Sequence, residues 1–93
     1  MRTFQWDPGK NAWLLQERGI AFEEVVLAIA HGRLLDIVEH PHPERYRGQR
    51  LFIVEISQYA YLVPFLETAD AIVLKTVIPS RKATKHYLRK EEA

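Results

Sequence analysis

The last apolar stretch of the chain runs into "PSRKATKHYLRK", where Arg81, Lys82, Lys85, Arg89 and Lys90 follow Ser80 with His86 among them. At helical spacing Arg81, Lys85 and Arg89 recur every four residues, and Lys82, His86 and Lys90 fill the adjacent stripe, so the charges share one broad face. Ser80 is of the type that caps a helix. Cations in a first helical turn oppose the helix dipole at a cost of roughly 0.3–1 kcal/mol each. Arg81 and Lys82 are therefore misplaced for stability. They are well placed to hold a phosphate, because the same turn offers unpaired backbone N–H groups and Arg adds a planar, bidentate fork. The competing reading is a solvated basic helix face.

Other residues with chemical potential are more scattered. Glu55 shares a strand face with Leu51 and Ile53, and Lys75 shares one with Val73 and Val77. They fit either a cross-strand ion pair on a half-exposed sheet or the rim of a cleft beside Arg81. Arg50, at the start of its strand, reaches the same rim or is solvated. Tyr59 and Tyr61 alternate onto one face, where they either pack or stack bases. His40 and His42 flank Pro41 with Glu39 and Glu44 nearby, the beginning of a metal site that lacks a third positioned ligand. His31 falls at a helix end, where a cationic imidazole suits the dipole. His86 joins the basic face, and an imidazole can move a proton near neutral pH. The sequence has no Ser/His/Asp order, Gly-rich phosphate loop or paired-carboxylate motif, and no cofactor or metal is expected.

The elements that would position these groups follow from spacing. "TFQW" alternates like a short strand. Asp7 then caps a helix from Pro8 to about Arg18, with Pro8 at the first helical position and Gly19 in the left-handed position that ends it. Phe22, Val25, Val26 and Ile29 give a second amphipathic helix closed by Gly32, with Glu23 and Glu24 in its first turn. From "RLLDIVEH" the period changes to two, which predicts strands near 33–39, 50–57, 59–67 and 71–78, the last three an antiparallel meander. Pro64 cannot donate to a ladder and is expected at an edge or bulge. After Pro79 a final helix is predicted from Arg81 to about Lys90. The expected fold is α+β, in the order β-α-α-β-β-β-β-α: a small twisted antiparallel sheet with flanking helices on one face.

Length and composition bound the rest. Ninety-three residues suit a single domain spanning 1–93, and 47% hydrophobic with 27% charged residues is an ordinary globular balance. Without cysteine the domain relies on packing. The net charge of +1 conceals an asymmetry: residues 1–80 hold 8 Lys/Arg against 10 Asp/Glu, and residues 81–93 hold 5 against 2. A basic end of this kind can attract polyanions. "MRTFQWDPGK" lacks the apolar run of a signal peptide, and no segment approaches the ~20 apolar residues of a membrane span, so a cytoplasmic location is the default expectation.

Three separated stretches, in order, carry a resemblance: Trp6-Asp7-Pro8 with Lys10 and Asn11; Gly19-Ile20 with Phe22-Glu23-Glu24; and Arg81-Lys82-Ala83-Thr84. Together they resemble the BrnT family of bacterial toxins, the ribonuclease halves of BrnT–BrnA toxin–antitoxin pairs, over nearly the whole chain. The resemblance implies a RelE-like fold and metal-independent cleavage of mRNA, on or off the ribosome, that inhibits translation. The implied partner is a ribbon-helix-helix antitoxin whose complex, through the antitoxin, contacts DNA. Under that reading Arg81 and Lys82 stabilise the phosphate, Lys10, Arg50, Lys75 and Lys85 position RNA, and Glu55 or His86 transfers protons. Family members commonly carry Lys-His-Gly where this chain has Glu17-Arg18-Gly19, so Arg18 replaces a histidine. That departure favours the second expectation, a non-catalytic module of toxin fold that grips the antitoxin as a co-repressor.

Overall fold

The computed structural model describes residues 2–89. The chain forms β1 (Thr3–Gln5), α1 (Pro8–Arg18), α2 (Phe22–Ala30), β2 (Leu34–Glu39), β3 (Gln49–Ile56), β4 (Tyr59–Glu67), β5 (Ala71–Leu74), β6 (Ile78–Pro79) and α3 (Arg81–Leu88). This is a small α+β protein with three helices and an open sheet in the strand order β1-β5-β4-β3-β2, with β6 also paired to β4.

Local chemistry explains the helix limits. Asp7 Oδ2 accepts the Lys10 N–H at 2.8 Å to start α1, and Gly19 ends it with φ 67°, a left-handed conformation that strains any residue with a Cβ. Residue Ala21 has no side chain able to cap α2, and α1 supplies the missing group: Asn11 Oδ1 accepts the Phe22 N–H at 2.7 Å while its Nδ2 donates to Glu23 at 2.9 Å. Glu24 completes the turn by accepting from Ala21 N–H at 3.0 Å. Asn11 therefore stitches the two helices together. For α3, Ser80 Oγ accepts from Ala83 N–H at 3.0 Å, a cap typically worth ~1 kcal/mol. The predicted helix to Lys90 ends at Leu88, and Lys90, Glu91 and Glu92 lie outside the described residues.

The sheet departs from expectation in three ways. First, it is mixed, because β1 pairs in parallel with β5 through Thr3↔Ala71 to Gln5↔Val73; the other ladders are antiparallel. A parallel edge requires partners far apart in sequence, and nothing in "TFQ" itself signals that distant pairing.

Second, the predicted strand 71–78 is two strands, and Pro64 explains the break. The interior strand β4 places Pro64 opposite Leu51 of β3, and its carbonyl accepts the Lys75 N–H at 2.9 Å. A residue at that position would return an N–H toward the same neighbour, and proline has none. The ladder with β5 stops there and resumes as β6 against Tyr61 and Leu62. Pro64 thus lies at a seam within the sheet rather than at its edge.

Third, the helices cover both faces. Phe52 and Val54 of β3, with Val63 and Phe65 of β4, point toward Leu14, Phe22 and Val25 of the first two helices. Ile53 and Ala60 point the other way, toward Ala83 of α3, with Leu35, Val38, Leu62 and Tyr87 packed around them. The alternation of side chains along a strand makes two small cores from one sheet.

Thr84 fastens α3 to its face. Its side chain is 1% exposed; Oγ1 accepts the Ala60 N–H at 2.9 Å and donates to the Ser80 carbonyl at 2.8 Å. Ser80 N–H in turn donates to Ala60 O at 3.0 Å. The helix that carries the cations is therefore locked at its first turn to the middle strand of the sheet.

Candidate functional site

With Ala83 and Thr84 turned inward, α3 leaves a groove of about 390 Å³ between itself, β2 and the adjoining sheet surface. Leu51, Ile53 and Leu62 form its apolar floor, and Ser80, Lys82, His86 and Tyr87 form the helix wall. The four-residue spacing of Lys82 and His86 brings both to the same side of the helix. Opposite them stand Val38, Glu39 and Pro41.

A carboxylate–phenol pair spans from β2 to α3. The bulge between Leu34 and Asp36 shifts the register so that Asp36 sits opposite Ile53, on the α3 face. Tyr87 Oη then donates to Asp36 Oδ2 at 2.6 Å, and the His86 ring meets Tyr87 edge-on with centroids 4.6 Å apart. The Tyr87 hydrogen bond holds the Asp36 carboxyl below its usual range, helped by the Ile37 N–H and, less, by the His86 charge. Reciprocally, that bond raises the Tyr87 pKa, so the phenol stays protonated well beyond neutrality. Its oxygen keeps lone pairs free to accept a further hydrogen bond.

The residues singled out in the sequence divide between this groove and other places. Lys82 and His86 line it; Arg81 and Lys85 are exposed on the same helix outside the lining. Glu55 lines a different cavity, of about 460 Å³, between α2 and the β3–β4 turn, where Arg33 approaches it at 3.7 Å. The Glu55–Lys75 pair does not form: β4 separates their strands, and Lys75 is exposed just past β5. Arg50 points to the opposite face from α3, over the Phe65 ring at 5.3 Å, and binds Glu67, which Arg2 also holds at 2.6 Å. Those two arginines, Arg50 first, keep the Glu67 carboxyl below its usual range. Lys10 lies over Trp13 on α1.

Tyr59 and Tyr61 meet edge to face at 5.8 Å, with Tyr61 packed against the larger core. His42 N–H donates to His40 Nδ1 at 3.1 Å, and His40 stacks on Tyr46 at 4.4 Å. Among the described residues no group of three or more His, Asp or Glu side chains is placed to hold a metal ion.

Sequence reasoning missed the Asp36–Tyr87 pair. Its available signal was Asp36 itself, a lone carboxylate inside the apolar run "LLDIV". No helix among the described residues is long and apolar enough to cross a membrane. The chain matches no protein-family model, no curated protein and no solved structure. Fold and groove together define a small α+β domain with a helix-walled, cation-bearing cleft.

Proposed function

We propose that the chain is the toxin of a toxin–antitoxin pair, similar to the BrnT family, and cleaves RNA without a metal. The observation that carries this reading is the convergence on one groove of Lys82, from the capped first turn of a basic helix, and His86, from its last turn. Cleavage of this kind forms a 2′-oxygen–phosphorus bond and breaks the phosphorus–5′-oxygen bond. A base takes the 2′-hydroxyl proton, cations stabilise the five-coordinate phosphate, and an acid protonates the departing oxygen.

Lys82 and Arg81 supply the charge in this scheme. His86 takes the proton-transfer role that the sequence left open between it and Glu55, since Glu55 faces another cavity beside Arg33. Tyr87, its proton committed to Asp36, accepts a hydrogen bond from the ribose and orients it. Lys85 extends the cationic face along the RNA. Purified protein freed of any partner should cleave single-stranded RNA equally with and without EDTA, and Arg81→Ala should relieve growth arrest while keeping the native melting temperature. Toxicity undiminished by that substitution would remove Arg81 from the scheme.

A second reading is a non-catalytic domain that grips a ribbon-helix-helix antitoxin. The apolar floor of the groove and the open edge of β2, where Ile37 is 41% exposed, support it. Tight antitoxin binding by a protein that leaves RNA intact would select this reading over the first.

A further inference from the structure

Helix α1 carries an indole on its solvent side. Trp13 is 44% exposed, although its neighbour Leu14 is fully buried. Lys10 Nζ lies 4.4 Å from the ring centroid and the Arg18 guanidinium 5.2 Å from it. Arg18 also donates to the Val77 carbonyl, which ties the end of α1 to the segment leading through exposed Ile78 and Pro79 into Arg81. From Val77 to Arg81 the chain spans at most about 14 Å, at ~3.5 Å per residue. Through this segment the α1 surface that carries the indole is joined to the first turn of α3, which packs on the other face of the sheet.

Magnitudes indicate what this surface can bind. An exposed cation–π contact contributes roughly 0.5–1 kcal/mol. A nucleobase stacked on an aromatic ring contributes about 1–3 kcal/mol and needs only an unpaired π-face. A base can therefore displace a cation from the ring, and the displaced cation is then free to meet the neighbouring phosphate.

We propose that Lys10, Trp13 and Arg18 form a stacking platform for an unpaired base of single-stranded RNA, with the two cations holding the flanking phosphates. The proposal rests on the ribonuclease reading for its substrate and deepens it: a duplex, whose base faces are covered, is excluded from the platform.

The test uses a short oligoribonucleotide with 2′-O-methyl riboses, which cannot be cleaved through the 2′-oxygen, and a duplex of the same sequence. Trp6 is half-buried and stacked on Phe22 at 5.5 Å, so fluorescence quenching by ligand reports mainly Trp13. The single strand should quench and the duplex should not. Trp13→Ala should weaken single-strand binding by about tenfold or more, whereas Trp13→Phe retains most of it. As a second, conservative variant, Lys10→Gln should lower the slope of log affinity against log salt by about 0.7.

Equal affinities of wild type and Trp13→Ala, or equal quenching by the duplex, would overturn the platform. So would quenching by a protein partner and not by the oligonucleotide. The two readings fail separately: a protein that stacks the modified strand yet cleaves no ordinary RNA loses the ribonuclease function and keeps the platform. One that cleaves normally with Trp13→Ala keeps the function and loses the platform.

Discussion

Two cavities of similar size flank the sheet, and they treat charge differently. In the cavity between α2 and the β3–β4 turn, Glu55 faces Arg33 and Glu24 is occupied in capping Ala21. Its charged groups answer one another locally. In the groove beside α3, Lys82 and His86 stand over an apolar floor and form no ion pair among the described residues, although His86 meets the Asp36–Tyr87 pair edge-on through the Tyr87 ring. Charge that the fold has not neutralised is charge available to a ligand. The difference singles out the α3 groove, even though the other cavity is the larger.

The largest effect expected from this contrast is functional. Lys82→Ala should lower RNA cleavage by about 10²-fold, the scale of losing one positioned donor to a developing negative charge. Arg33→Gln, in the other cavity, should leave the rate unchanged and shift stability by no more than about 1 kcal/mol, as for an exposed ion pair. Equal losses in the two variants, measured as single-turnover cleavage, would erase the distinction.

Next in size is the lock on α3. Thr84→Val keeps the shape of the side chain and strands the buried Ala60 N–H, which should destabilise the fold by about 1–3 kcal/mol in urea unfolding. A smaller change, of opposite sign, is expected at the β3–β4 turn. Ser57 and Gln58 have φ of 54° and 66°, and a non-glycine residue in this region is strained. Gln58→Gly should therefore stabilise by about 1 kcal/mol, the relieved strain set against added chain entropy. An unchanged unfolding midpoint would show that the turn is not strained.

The smallest effect is spectroscopic. Asp36→Asn should move the ionisation of Tyr87 down toward the ordinary phenol range, read as phenolate absorbance against a Tyr87→Phe control. The sign for stability follows from the same pair. The Asp36 contribution is present above the unfolded carboxyl pKa and fades as pH falls through the lower folded value. The Tyr87 contribution is present below the ordinary phenol pKa and fades as pH rises through the higher folded one. A stability gap between wild type and Tyr87→Phe that does not shrink from neutral pH toward both extremes would contradict this coupling.

The starts of α1 and α3 and the end of α1 were legible in the sequence because each is decided by residues a few positions apart: Asp7 with Lys10, Ser80 with Ala83, and Gly19. The β3–β4 hairpin was legible for the same reason. Which faces the helices cover was not, since Phe52 and Ile53 are equally apolar and only the completed sheet sends one toward α2 and the other toward α3. The parallel pairing of β1 with β5 depends on residues nearly seventy apart. At the site, the basic character of α3 was plain, yet the grouping with Arg50, Lys75 and Glu55 failed because each faces a direction set by long-range register. Asp36 became a partner for Tyr87 only through a bulge, and the exposure of Trp13 was not legible because an exposed indole and a buried one have the same letter.

The central claim is that Lys82 and His86 act on a phosphate in the α3 groove, and cleavage of a defined single-stranded RNA by partner-free protein tests it most directly. The account predicts EDTA-insensitive cleavage that falls by about 10²-fold in Lys82→Ala and is nearly absent in His86→Ala, with both variants folded. Intact RNA from the folded wild type, or full cleavage by both variants, would contradict it.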